Sequence, residues 1–125
     1  MTLIDNPVVK GREDYYAEVI VDLPRVVTSW KDSLYSFEWL LKDGRIKDLK
    51  ELPETEQPKR QAIEDAMHNG APIEKPVLGI GLMDNIEIGA GKAALLTLAA
   101  HGHRHLSVHI PKANESDFKG FIAEV

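Results

Sequence analysis

Cysteine is absent from the 125-residue chain. Its absence excludes disulfide bonds, cysteine nucleophiles, thiolate metal sites and thiol-based peroxide chemistry. No apolar run approaches the roughly 20 residues that a membrane-spanning helix needs. The first six residues contain no basic segment followed by an apolar one, so we expect no signal peptide. These absences favour a cytoplasmic protein that does not enter a membrane.

An excess of positive charge is also lacking. The chain has 15 Lys and Arg residues against 20 Asp and Glu residues, a formal net charge of −5. This balance argues against a protein whose whole surface binds nucleic acid, although a local basic patch remains compatible with it. The length fits one domain over residues 1–125, and hydrophobic residues, at 43%, suffice for one modest core.

Strand-like and helix-like patterns interleave along the chain and predict an α/β (α+β) fold, a single small mixed-sheet domain with helices packed on the sheet. Strands are predicted at residues 15–23, 76–82, 86–88 and 106–111. Helices are predicted from 32 or 33 to 42, from 55 or 56 to 69, from 93 to 100, and from 116 or 117 through 122. Residues 25–30 fit extended structure. Helical spacing predicts a core-facing stripe of Leu34, Phe37, Leu40 and Leu41.

Residues 85–111 read as a strand, a glycine turn, a helix and a strand. A glycine turn that enters a helix presents free backbone N–H groups and a partial positive charge, which suit a phosphate. The phosphate-binding candidates are Gly89, Ala90, Gly91 and Lys92, with Arg104 as a further cation. A turn that only joins strand to helix explains the same residues, and the spacing is not that of a Walker loop.

Glu87 precedes this turn and is a candidate to hold Mg²⁺ or to position a water for phosphoryl hydrolysis. An ordinary solvent-facing carboxylate is the alternative. His103, His105 and His109 lie at alternate positions with Ser107, so they share one face if the strand pattern extends back to His103. Such a face suits a metal ion, phosphate contact or proton transfer near neutral pH, and His103 and His105 join Glu87 as catalytic candidates. A half-solvated face rich in histidine is the alternative without chemistry.

Several segments resemble the ParB/sulfiredoxin superfamily. Residues 66–77 resemble its helix, glycine and apolar-Pro-strand segment, and residues 86–92 look like its strand and Gly-x-x-Arg phosphate turn. Residues 93–102 and 106–111 resemble the following alanine-rich helix and the closing strand. The resemblance covers roughly residues 56–111, with 15–23 as the expected first strand.

The chain departs from this family at the turn itself, where Lys92 replaces the usual arginine and Gly91 a bulkier residue. Lysine holds a phosphate as a point charge rather than as a bidentate fork. Sulfiredoxin activity needs a cysteine, and partition proteins carry a helix-turn-helix domain after this module. We therefore expect neither activity, and the chain resembles the lone modules of ParB-like nucleases and plasmid fertility-inhibition factors.

The resemblance implies binding of ATP, another nucleoside triphosphate or DNA, with Mg²⁺ and with ATPase or nuclease activity. The implied setting is plasmid or phage conflict, such as fertility inhibition of conjugative transfer. An alternative function is a non-enzymatic protein-interaction module of the same fold that blocks a secretion or defence machine. A metalloprotein with its ion on the histidine face is a third hypothesis.

Overall fold

A computed structural model describes residues 1–124 of the chain. Within this range the chain forms six β-strands and three α-helices, joined by loops and short 3₁₀ segments. The strands are β1 (Thr2–Ile4), β2 (Tyr16–Asp22), β3 (Pro72–Glu74), β4 (Val77–Ile80), β5 (Ile86–Ala90) and β6 (His105–Pro111); the helices are α1 (Leu23–Trp30), α2 (Gln57–Asn69) and α3 (Lys92–Ala100). Over residues 1–124, no helix has the length and apolar character needed to cross a bilayer.

The main sheet has four strands in the order β2-β6-β4-β5. Strand β2 runs antiparallel to β6, with Val19 opposite Val108 and Glu18 opposite His109. Strand β4 lies parallel to β6 and antiparallel to β5. Strands β1 and β3 form a separate parallel pair. The predicted class of a small mixed α/β domain is therefore confirmed, as are the four predicted strands in outline.

The core is built from alternating residues of the sheet and from helices α1 and α3. Strand β6 buries Leu106, Val108 and Ile110 as its alternation predicted, and helix α3 buries Leu95, Leu96 and Leu98. Helix α3 is apolar on nearly every side, which is typical of a helix enclosed by other elements. Each fully buried leucine or isoleucine stabilises the fold by about 1.5–3 kcal/mol.

The prediction of extended structure at residues 25–30 is wrong, because α1 occupies this segment. The Asp22 side chain accepts a hydrogen bond from the Arg25 backbone N–H at 3.1 Å and caps the helix. Pro24 lies in the first turn, where its missing N–H costs nothing. The buried residues have helical spacing and are Leu23, Val26, Val27 and Trp30. Adjacent valines and a proline favoured the wrong interpretation.

The prediction of a helix from residue 32 or 33 to residue 42 is also wrong. This segment contains only the 3₁₀ turn Ser36–Glu38, and it is preceded by Tyr35 in the left-handed region at φ 68°. Leu34 and Phe37, which were expected to face the core, are exposed, whereas Trp39 and Leu40 are buried. The apolar residues of this segment therefore do not form one helix face, because some are exposed to solvent and others are buried in the core.

Tertiary contacts hold this segment out of the helical conformation. The Trp39 indole N–H donates to the Glu56 carboxylate at 3.0 Å, and the Trp39 carbonyl accepts from the Lys47 backbone N–H at 2.8 Å. Leu40 forms an isolated bridge with Ile46. Each of these contacts draws the chain toward residues outside the segment, which a continuous helix would prevent.

The C-terminal segment is a 3₁₀ stretch at Lys112–Phe121, so it begins four residues before the earlier predicted start at residue 116. Phe118 is fully buried in the core cluster. Ile122, which the sequence placed in a helix, instead bridges Val21 of β2. The Ala123 backbone N–H donates to the Ile20 carbonyl, so this segment covers part of the β2 edge.

Candidate functional site

In the structure, the predicted phosphate turn is a single residue, Gly91, between β5 and α3. Gly89 and Ala90 belong to β5, which extends beyond the predicted end at residue 88. Only Gly91, directly before α3, has a left-handed backbone, at φ +80°. A Cβ at this position would lie 2.8 Å from the Pro76 Cα. Backbone conformation and close packing therefore account for Gly91 without a ligand.

Helix α3 begins at Lys92 without a side-chain cap. Its first turn lines a groove of about 520 Å³ between α2, β3 and α3. Apart from Gly91, the uncharged lining residues are apolar: Ala62, Ile63, Ala66, Pro72, Ile73, Ala93 and Ala94. The charged lining residues are Lys59, Lys92 and Glu74. The groove thus combines free helix N–H groups with two ammonium groups and one carboxylate.

Lys92 is already paired with a buried carboxylate, that of Glu56. The Lys92 Nζ lies 3.0 Å from Glu56 Oε1, the Trp39 indole donates to the same oxygen, and the Lys59 Nζ lies 2.9 Å from Oε2. The Glu56 side chain is 5% exposed. The indole donor first, and then the two ammonium groups, lower the pKa of Glu56 to about 2 against the effect of burial. Much of the Lys92 charge is therefore balanced within the fold.

Glu87 lies away from this groove. It precedes Gly91 by four residues of extended chain, or about 13 Å. Its carboxylate accepts hydrogen bonds from the Ser33 hydroxyl and from the Asn85 amide, the latter at 3.0 Å. Mg²⁺ binds its oxygen ligands at about 2.1 Å, so one ion cannot join Glu87 to a phosphate at Gly91. These residues do not fit a shared site for Mg²⁺ and a nucleotide.

His103, Arg104 and His105 lie beyond the other end of α3. The helix has nine residues and is about 13 Å long, which separates them from Lys92. His103 lines a small cleft with Gly44, and Arg104 and His105 are exposed at the start of β6. The structure therefore does not bring the predicted catalytic and phosphate-binding residues into one site.

His109 belongs to a separate cluster with Asp5 and Glu18. Its Nε2 accepts a hydrogen bond from the Asn6 backbone N–H at 3.2 Å and lies 3.8 Å from the Asp5 carboxylate. The Lys75 ammonium contacts Glu18 at 2.7 Å and Asp5 at 3.1 Å. The hydrogen bond between Lys75 and Glu18 is the main cause that raises the Lys75 pKa and lowers the Glu18 pKa. Lys75 thus supplies the cation that balances both carboxylates.

His105 and His109 occupy alternate positions of β6 and so lie on one face of the strand, as predicted, whereas His103 precedes the strand. His109 is buried beneath the N-terminal segment, whereas His105 is exposed at the beginning of the same strand. Asp5, Glu18 and His109 have ligand atoms within 4.8 Å of one another, but Lys75 already occupies the position between the carboxylates. The cluster serves to attach the N-terminal segment to the sheet.

Five large apolar side chains are exposed together on two loops, and we call them the loop surface. They are Leu34 (77% exposed), Tyr35 (62%), Phe37 (65%), Leu82 (104%) and Met83 (80%). All five line one groove of about 500 Å³. The rings of Tyr35 and Phe37 contact each other, with centroids 6.0 Å apart. Contiguous exposed apolar patches of this kind mark interaction sites on folded proteins.

The two loops are held in defined conformations. Tyr35 and Asp84 both have left-handed backbones, at φ 68° and φ 59°, and no other non-glycine residue within 1–124 does. The Ser36 hydroxyl donates to the Lys31 carbonyl at 2.7 Å. The Glu87 carboxylate joins the loops, because Ser33 belongs to one of them and Asn85 ends the other. The loop surface is therefore presented on a fixed backbone.

The sequence pattern did not identify the loop surface, although one signal for it was present. Leu82 and Met83 begin a tight turn with Asp84, where small or polar residues are usual. Leu34 and Phe37 carried no such signal, because their spacing matched a helix face. Glu87, a predicted catalytic residue, instead lies in this groove with a half-buried side chain.

Comparison of the chain with protein-family models, with curated proteins and with solved structures found no match. The resemblance to the ParB/sulfiredoxin superfamily therefore stays a prediction. What the structure defines is a small mixed α/β domain that carries an apolar loop surface and a groove at the start of α3.

Proposed function

We propose that the chain is a protein-interaction module that binds its partner through the loop surface. The observation that carries this proposal is the exposure of five large apolar side chains around one groove on fixed loops. Complete burial of each such side chain contributes about 1.5–3 kcal/mol. Association costs about 4–15 kcal/mol in lost freedom of motion, so burial of all five side chains offsets a cost of this size, and polar contacts around them supply the net affinity.

The positions of the predicted catalytic residues also favour binding over catalysis. Glu87 is separated from Lys92 along β5, and His103 and His105 lie beyond the far end of α3. A module that blocks a secretion or defence machine by binding to it needs none of these residues to meet. The ParB/sulfiredoxin-like family, the cytoplasmic location and a role such as fertility inhibition remain parts of this proposal.

The double substitution Leu34→Ser and Phe37→Ser tests the proposal. Both side chains are exposed, so we expect the free energy of unfolding to change by about 0.5 kcal/mol or less per site. Loss of two anchors of about 2 kcal/mol each is expected to weaken partner binding by roughly 1,000-fold. Proteins that crosslink to the wild-type chain in cells are purified singly, and each is titrated calorimetrically with both forms.

Tyr15→Ser is the matched control, because Tyr15 is a similarly exposed aromatic residue that does not line the groove. It is expected to bind the partner as the wild type does. Sedimentation velocity of the pure chain identifies a second copy as the partner if a dimer forms and the double variant loses it. Equal affinities of the wild type and the double variant for every purified partner contradict the proposal.

A second candidate function is binding of a nucleotide or nucleic-acid phosphate at the groove beside α3. The uncapped first turn of this helix and the ammonium groups of Lys59 and Lys92 favour it. Glu56 and Glu74 reduce the positive charge there. Because Glu87 does not fit a shared Mg²⁺ site, we derive no ATPase or nuclease step from this groove.

Lys59→Ala tests phosphate binding more cleanly than Lys92→Ala, because the Lys59 side chain is 60% exposed and Lys92 is the more buried partner of Glu56. Loss of one charge-assisted contact is expected to weaken ATP binding about tenfold, with or without Mg²⁺. Isothermal titration with ATP and with inorganic phosphate measures this, and Lys119→Ala is the distant control. Absence of heat with the wild type, or equal affinities of wild type and Lys59→Ala, removes this candidate.

A further inference from the structure

The Glu87 carboxylate is held in place but is not neutralised. One oxygen accepts from the Ser33 hydroxyl and the other from the Asn85 amide. An ionised carboxylate has about four acceptor positions, so these two donors leave others free. Over residues 1–124, no lysine, arginine or histidine side chain forms an ion pair with Glu87. A fixed negative charge is therefore available in the groove.

The walls of the same groove are apolar and aromatic. Tyr35, Phe37 and Met83 line it beside the carboxylates of Asp32 and Glu87, and the described lining includes no basic residue. Arginine and lysine side chains pack their aliphatic stems along apolar surface while the charged head reaches a polar group. Aromatic rings also attract cations, by about 0.5–1 kcal/mol at exposed sites.

We infer that the loop surface receives an arginine or lysine side chain of a protein partner, with the Glu87 carboxylate as the acceptor for its charged head. This assignment rests on the proposed interaction function and specifies the chemistry of the partner. The stem of the inserted side chain lies against Phe37 and Met83, and apolar residues on either side of it cover Leu34 and Leu82. Two groove carboxylates and the chain's net charge of −5 complement a basic segment and repel an acidic one.

A pair of peptides tests the charge directly. An acetylated and amidated Leu-Arg-Leu peptide is compared with the same peptide in which citrulline, an uncharged isostere, replaces arginine. In ¹⁵N-resolved NMR titrations, the arginine peptide is expected to shift the amide signals of Ser33, Asn85 and Glu87. Its affinity is expected to exceed that of the citrulline peptide about tenfold, because a charge-assisted hydrogen bond is lost with citrulline.

Variants of the two carboxylates connect this preference to the groove. Glu87→Gln is expected to reduce the preference for arginine to about twofold or less, since the amide keeps the shape but loses the charge and one of the two acceptor oxygens. Asp32→Asn leaves the contacts of Ser33 and Asn85 with Glu87 in place, so it tests the charge without disturbing the joint between the loops. Asp32→Asn is expected to reduce the preference for the arginine peptide about threefold at low salt.

The outcomes separate this assignment from the interaction function itself. Equal affinity for the arginine and citrulline peptides overturns the cation assignment, and so does an unchanged preference in Glu87→Gln. Absence of binding by both peptides overturns it as well. In each of these cases the proposed interaction surface would still be supported if the wild type binds the partner and the Leu34→Ser, Phe37→Ser variant does not.

Discussion

Glu56→Ala is expected to lower the free energy of unfolding at pH 7 by about 2–4 kcal/mol, because it removes a buried carboxylate that accepts from the Trp39 indole and from two ammonium groups. The change removes the acceptor of the Trp39 indole N–H, which is then buried without a partner. It also leaves Lys92, whose side chain is 35% exposed, beside an emptied carboxylate position. Urea denaturation followed by tryptophan fluorescence measures the loss.

The same carboxylate makes stability depend on pH in acid. The folded-state pKa of Glu56 is about 2, below its ordinary value of 4.5. Because the pKa is depressed, the stabilisation is fully present above pH 4.5 and is lost as pH falls from there toward 2. The shift corresponds to about 3 kcal/mol, so Glu56→Gln is expected to show a flatter dependence of stability on pH over this window.

Glu54→Ala is the matched control, because it removes an exposed carboxylate two residues away. We expect it to change stability by about 0.5 kcal/mol or less. Equal losses in Glu54→Ala and Glu56→Ala would show that the buried pair does not stabilise the fold.

Gly91→Ala is expected to destabilise the protein by about 2–5 kcal/mol, the sum of a left-handed backbone cost and an overpacking cost. The backbone at Gly91 has φ +80°, and the added Cβ would meet the Pro76 Cα at 2.8 Å. A backbone atom cannot move aside as the end of a flexible side chain can. Denaturant unfolding monitored by circular dichroism measures the effect.

Substitutions at two other glycines separate the backbone cost from the overpacking cost. Gly102 has φ +88° and open space around its Cβ position, so Gly102→Ala is expected to cost only the backbone term of about 1–2 kcal/mol. Gly89 has an ordinary backbone, and its Cβ would contact the Val77 carbonyl oxygen at 3.5 Å, so Gly89→Ala is expected to cost less. Equal losses at Gly91 and Gly102 would mean that the Pro76 segment yields and that close packing does not require Gly91.

Much of the fold was predictable where neighbouring residues decide the structure. The alternation of Leu106, Val108 and Ile110 correctly predicted the buried face of β6. The uninterrupted run of helix formers after Gly91 correctly predicted α3. The helix prediction for residues 32–42 was wrong because the spacing of Leu34 and Phe37 is equally compatible with an exposed loop. The hydrogen bond from Trp39 to Glu56, 17 residues away, favours the loop over the helix.

By itself the sequence determined the class of the fold, the absence of thiol chemistry and the buried face of β6. These properties follow from composition and from periodicities of two and 3.6 residues, which are local. Only the tertiary structure decided that Lys92 pairs with Glu56, that Lys75 joins Asp5 to Glu18, and that two loops combine into one apolar surface. Local patterns determine which face a residue occupies, but pairing depends on the distance between segments far apart in the chain, which only folding sets.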